Sequence, residues 1–68
     1  MNIYAVKQIN TRNIKSAEEY EAAVQSATPT YCTGLKEVWA YCGGKLHRER
    51  AGYIGTDGYI DYIAVRIA

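Results

Sequence analysis

The chain has 68 residues, a formal net charge of +1, 49% hydrophobic and 22% charged residues, and two cysteines. This length suits one small domain over residues 1–68, and the composition is that of a folded chain, not a disordered one. The near-neutral charge argues against a domain built mainly to neutralise phosphates, and no run of ~20 apolar residues could cross a bilayer. With no signal-peptide pattern at the start, we expect a cytoplasmic protein with reduced cysteines and no membrane partner.

The first predicted elements are a strand and a helix. Residues 2–9 are rich in isoleucine, tyrosine and valine and predict a strand. Ser16 and Glu19 have the spacing of a capping box, which predicts that a helix begins at Ser16. Thr28 and Pro29 end that helix, because the residue before proline is pushed out of the helical region.

The rest of the chain predicts three more strands, over residues 35–42, 45–54 and 59–67. Gly43-Gly44 suits a two-residue hairpin turn and Asp57-Gly58 suits another turn. The predicted fold is therefore α+β, with the order β-α-β-β-β, in which a mostly antiparallel four-stranded sheet carries one helix on one face.

A two-residue turn fixes register, so this hairpin would place Cys42 opposite Lys45 and divide the sheet into two faces. The face predicted to be the core under the helix contains Leu35, Trp39, Tyr41, Leu46, Ile54, Tyr59, Ile63, Val65 and Ile67. The predicted open face contains Val38, Ala40, Cys42, Ala51, Tyr53, Ile60, Tyr62 and Ala64. An odd-length turn at Asp57-Gly58 would move the last strand to the opposite assignment.

The aromatic composition indicates a contact surface. There are seven tyrosines, one tryptophan and no phenylalanine, and rings with a polar group are favoured where one edge is dry and the other meets water or a partner. Arginine and tyrosine are also common at binding hot spots. The predicted partner-binding residues are Tyr53, Tyr62, His47 and Arg66 on the open face, and Lys45, Arg48 and Arg50 on a basic hairpin with Lys36 facing it.

Two groups of residues contain the side-chain types needed for catalysis or metal binding, but neither has a supporting arrangement. Cys42 and His47 would be diagonal neighbours across the hairpin, but no acid is placed to orient the imidazole and a hairpin tip offers no pocket. A metal site would have to combine Cys32, Cys42, His47 and perhaps Asp57, without the paired ligands of structural zinc sites. We therefore expect no catalytic residue, no metal and no cofactor, and hence not an enzyme.

In its size and its β-α-β-β-β layout, the chain is similar to the small inhibitors that bacteriophages encode against host defence, including some anti-CRISPR proteins. The resemblance covers the order of elements and involves no motif, so it assigns no residue. It implies a non-enzymatic module in the host cytoplasm that occludes the surface of a host protein or ribonucleoprotein complex. The alternative is a small nucleic-acid-binding protein that uses the basic hairpin 45–50, and a homodimer is compatible with both.

Overall fold

A computed structural model describes residues 2–49 and 52–68, with side chains described for all of these except residues 48 and 49. The elements in chain order are β1 (Ile3–Asn10), α1 (Ala17–Ser26), β2 (Thr30–Thr33), α2 (Gly34–Tyr41), β3 (Leu46–Glu49), β4 (Gly52–Asp57) and β5 (Ile60–Arg66). The strands form a five-stranded antiparallel sheet in the order β2-β1-β5-β4-β3. The predicted α+β class with an antiparallel sheet is confirmed.

The first strand and helix follow the local sequence signals closely. The Ser16 side chain accepts a hydrogen bond from the Glu19 N–H at 3.2 Å, which satisfies one of the free donors at the start of α1. The helix ends at Ser26 and its C-cap Ala27 is already extended, two residues before Pro29. Local capping chemistry was therefore sufficient to place α1.

The predicted strand over residues 35–42 is wrong, because this segment forms most of α2. Gly43 and Gly44 end the helix: the Gly44 N–H donates to the Trp39 carbonyl at 2.9 Å. The Gly43 N–H donates to the Ala40 carbonyl at 3.3 Å, and the two glycines have φ of 65° and 75°. These two bonds make a Schellman motif, so the paired glycines are a helix C-terminus and not a hairpin turn.

The predicted third strand, over residues 45–54, divides into β3 and β4, which pair with each other. Leu46 lies opposite Gly55 and Arg48 opposite Tyr53, so the predicted pairing of Cys42 with Lys45 does not occur. The edge strand β2 was not predicted and adds to β1 with Cys32 opposite Tyr4. The sheet therefore has five strands, not four, and two helices accompany it, not one.

The last turn has the even length on which the predicted division of faces depended. Asp57 lies opposite Ile60, which leaves a two-residue loop in which Gly58 takes a φ of 62°. Because this loop preserves the alternation, Tyr53 and Tyr62 share a face of the sheet as predicted, but that face is covered.

Helix α2 packs on the face of the sheet that carries Tyr53 and Tyr62, which we call the α2 face. Val38 and Cys42 of the helix segment are 0% and 2% exposed and belong to the hydrophobic core. Their partners from the sheet are Tyr4, Val6, Cys32 and Ala64, with Leu46, Tyr53 and Tyr62 partly buried around them. The core is therefore built on the face predicted to be open.

Helix α1 lies on the opposite face of the sheet, the α1 face. Lys7 alternates with Val6 along β1, and its amine donates to the Val24 carbonyl near the end of α1 at 2.8 Å. Six residues of the predicted core are instead exposed: Leu35, Trp39, Tyr41, Tyr59, Val65 and Ile67. The predicted assignment of core and open surface is thus wrong, because it depended on treating α2 as a strand.

Candidate partner-binding cleft

A small apolar cleft lies between α2 and the β3–β4 end of the sheet. It has a volume of about 170 Å³ and is lined by Leu35, Trp39, Leu46 and Tyr53, which we call the α2 cleft. Trp39 and Leu35 are 47% and 46% exposed, so both line the cleft while still meeting solvent. Each of the four lining side chains is aliphatic or aromatic.

The geometry of α2 explains why these helical residues line the cleft. Val38 and Cys42 turn into the core, which fixes the rotation of the helix about its axis. Leu35 and Trp39 are four residues apart and therefore lie on one side of the helix, one turn above the other. That side overhangs β3 and β4, where Leu46 and Tyr53 complete the lining.

Tyr53 is held in place from below. Its ring packs edge to face on that of the buried Tyr4, with the ring centroids 5.9 Å apart and an interplanar angle of 71°. Such a contact adds packing energy beyond simple burial and holds the ring against the core. The floor of the cleft is therefore preformed, whereas the exposed ring of Trp39 provides an edge that a partner can cover.

The predicted tyrosine patch is only partly a surface. Tyr53 lines the α2 cleft, but Tyr62 packs against the core and meets Tyr41 edge to face, with centroids 6.0 Å apart at 84°. Both rings contribute to the fold. An alanine variant of either would therefore change stability as well as any contact, and Trp39 is the better residue to test.

The structure does not bring the predicted polar partners together around these tyrosines. His47 pairs with Ile54 and so lies on the α1 face, opposite to Tyr53. Arg66 lies on the α2 face beside Tyr4, and its Nε donates to the Ala68 carbonyl at 3.3 Å. The predicted grouping of His47 with the tyrosines and Arg66 is therefore wrong.

The basic hairpin is also arranged differently from the prediction. The Lys45 amine lies 3.0 Å from the Asp57 carboxylate in an exposed ion pair. Lys36 is on α2, beside Thr33, Glu37 and Ala40, and not on a facing strand. Arg48 pairs with Tyr53 through β3, and Arg50 lies outside the described residues, so a binding role for these two arginines stays a prediction.

The two cysteines are buried members of the core with free thiols. Burial, and secondarily the neighbouring Cys32, raises the pKa of the Cys42 thiol to about 11, and burial followed by the charge of Glu37 raises the pKa of Cys32. Cys42 is therefore a protonated core residue at neutral pH and does not form the thiolate-imidazole pair with His47. Within residues 2–49 and 52–68 no three potential ligands cluster to hold a metal ion.

Sequence reasoning missed Leu35 and Trp39 as site residues, although a signal for them exists. Leu35, Val38, Trp39 and Cys42 have the i, i+3, i+4, i+7 spacing of an amphipathic helix.

In the described part of the chain, no helix has the length and apolar character needed to cross a membrane. Comparison of the chain with protein-family models, with curated proteins and with solved structures finds no match in any of the three.

Proposed function

We propose that the chain is a non-enzymatic module that binds another protein and occludes its surface, with an apolar side chain of the partner anchored in the α2 cleft. The observation that carries this proposal is the half-exposed ring of Trp39 at the edge of a preformed apolar concavity. Tryptophan and tyrosine are the residue types most enriched at hot spots of protein interfaces, where an anchor side chain fills a desolvated pocket.

The size of the cleft favours a side chain over a metabolite as its occupant. Small-molecule sites usually enclose about 300–1,000 Å³ and place several polar groups to orient the ligand. The α2 cleft measures about 170 Å³, and its lining contains no charged side chain. An apolar cavity of about 150 Å³ accepts a benzene ring, so the α2 cleft has room for one leucine or phenylalanine side chain of a partner.

Binding without catalysis is supported by the position of the residues that could react. Cys42 is protonated in the core and His47 lies on the other side of the sheet, so the one nucleophile-base pair considered from the sequence is not assembled. A small rigid surface that excludes other partners needs no such pair. Occlusion is the mode of action that this arrangement serves.

As the target, we propose a host-defence complex of the CRISPR type, with the chain acting as an inhibitor of phage or mobile-element origin. This part of the proposal is supported by the small α+β chain and by the resemblance in size to phage inhibitors. Expression of the chain in bacteria with active CRISPR interference should restore plaque formation by a targeted phage. Unchanged plaque counts would reject the target while leaving the binding proposal to its own test.

The binding proposal is tested with Trp39→Ala and a matched control, Tyr59→Ala. Tyr59 is 62% exposed in the β4–β5 turn, beneath the Arg12 guanidinium, and is not a lining residue of the α2 cleft. Tagged wild-type and variant proteins would be used to capture partners from a nuclease-treated bacterial lysate. We expect one protein to be retained by wild type and Tyr59→Ala and lost with Trp39→Ala.

Trp39 is the only tryptophan of the chain, so its fluorescence reports directly on the cleft. Titration with the captured partner should shift the emission to shorter wavelength as the ring leaves water. Capture that is equal for all three proteins, or binding with no change in the emission, would place the contact elsewhere and refute the role of the α2 cleft.

A further inference from the structure

A second apolar surface lies on the α1 face, at the end of the sheet that α1 leaves uncovered. Four large hydrophobic side chains meet solvent there: Ile3 (37% exposed), Tyr31 (62%), Val65 (42%) and Ile67 (55%). We call these four residues the open patch. It lies on the opposite side of the sheet from the α2 cleft, so the two surfaces are independent.

The strand register makes the open patch continuous. Ile67 follows β5, and its N–H donates to the Ile3 carbonyl at 2.9 Å, which brings the two isoleucines side by side. In the next row Ala5 pairs with Tyr31 on one side and with Val65 on the other. Because side chains on one face repeat every second residue, all of these project from the α1 face.

The open patch contains no aspartate, glutamate, lysine, arginine or histidine. The nearest charge along β1 on this face is Lys7, and its amine is turned to the Val24 carbonyl at the end of α1. A two-fold axis places a patch opposite the same patch of the other copy, so a charged side chain near the axis would lie close to an identical charge and be repelled by it. A neutral, flat, apolar block suits contact with a second copy of this chain.

The balance of buried and exposed groups supports the same partner. In the described part of the chain, eight large hydrophobic side chains are exposed, whereas only seven hydrophobic residues are buried: the six of the core on the α2 face, which include two cysteines and one alanine, and Ile9 on the α1 face. A single core in a chain of this size gives modest stability, and many small proteins supplement it with a disulfide, a metal or oligomerisation. Both cysteines are free, so no Cys32–Cys42 disulfide supplements the core, and packing of exposed apolar side chains between two copies would do so.

The area is also sufficient for a modest interface. If each open-patch side chain offers about half of ~200 Å² of surface, the four present on the order of 400 Å². That is the size of the largest apolar patch on a typical small protein, which is often functional, and about half of the ~800 Å² that each partner buries in a standard interface. The partly buried Ile54 and Ile63 and the edge strand β2 border the patch and enlarge the contact.

We propose that the open patch is a homodimer interface, in which two copies pack their α1 faces together around a two-fold axis. In this dimer both α2 clefts face outward on opposite sides, since each lies on the far side of its own sheet. The dimer does not depend on the proposed function of the cleft.

The test is the molecular mass of the full chain in solution, by sedimentation equilibrium from about 1 µM to about 200 µM. We expect the wild-type mass to rise from 7.6 kDa towards twice that value. Val65→Lys should remain monomeric across the range. Ile67→Lys, which changes a residue beyond the end of β5, should do the same and provides the test if Val65→Lys does not keep the wild-type circular dichroism spectrum.

The matched control is Leu35→Lys, which adds the same charge to a similarly exposed residue of the α2 cleft (46% exposed). It should dimerise like the wild type, and Trp39 emission should not change with protein concentration. A wild-type mass of 7.6 kDa at every concentration would overturn the proposal. So would dimers that persist in both open-patch variants, or that Leu35→Lys dissociates.

Discussion

Val38→Ala is the sharpest test of the role of α2. Val38 is 0% exposed and packs on the core of the α2 face. The substitution removes two methyl groups, whose burial contributes about 0.8 kcal/mol each to the free energy of unfolding. The cavity left behind adds to that loss, for a total of about 2–3 kcal/mol. A chain of this size has a free energy of unfolding of only about 3–5 kcal/mol, so the variant should be close to unfolding.

The control is Leu35→Ala on the same helix, where a larger side chain is shortened but 46% of it already meets solvent. We expect a loss below about 1.5 kcal/mol, because only the buried part of the side chain contributes. Both variants and the wild type would be unfolded in urea at one protein concentration, followed by circular dichroism. A loss in Val38→Ala equal to or smaller than that in Leu35→Ala would refute the inward orientation of Val38.

Three further predictions test other features of the fold and its surface. Gly55→Ala should lower the free energy of unfolding in urea by more than about 2 kcal/mol, because a Cβ at this position would overlap the Lys45 carbonyl oxygen. Gly58→Ala, at a φ of 62° with open space around the Cβ position, should lower it by only about 1 kcal/mol. Equal losses would contradict the close approach of the Lys45 backbone to Gly55. The pKa of Cys42 is raised from 9.0 to about 11 in the folded state, so its contribution to stability is complete below about pH 9 and is lost as pH rises through 11. The difference in unfolding free energy between wild type and Cys42→Ala should therefore shrink between these pH values. A constant difference would refute the shift. If residues 45–50 bind nucleic acid, oligonucleotide affinity should fall steeply between about 50 and 200 mM salt, and an affinity that does not change over that range would reject this alternative.

Segments whose signals are local were predictable from the sequence. The Ser16 cap and the proline after α1 bracket that helix through chemistry within a few residues, and the β4–β5 turn kept the expected even length. The segment 35–42 was mispredicted because two local patterns compete there. Its valine, tryptophan and tyrosine favour a strand, whereas the spacing of Leu35, Val38, Trp39 and Cys42 favours a helix.

The candidate site was less predictable, because it depends on that one segment. Tyr53 was identified as a surface residue and does line the α2 cleft, but Trp39 was assigned to the core. Changing residues 35–42 from strand to helix turns Val38 inward and Trp39 outward. A single misassigned element therefore exchanged the core with the surface.

By itself, the sequence determined the α+β class, the antiparallel pairing, helix α1 and the shared face of Tyr53 and Tyr62, because caps, turns and alternation act over short stretches of chain. Only the tertiary structure decided that α2 covers this face, that β2 completes the sheet edge, and that the α2 cleft and the open patch lie on opposite sides. Those outcomes depend on which surfaces meet across the sheet, and contacts between distant segments leave no periodic mark in either segment alone.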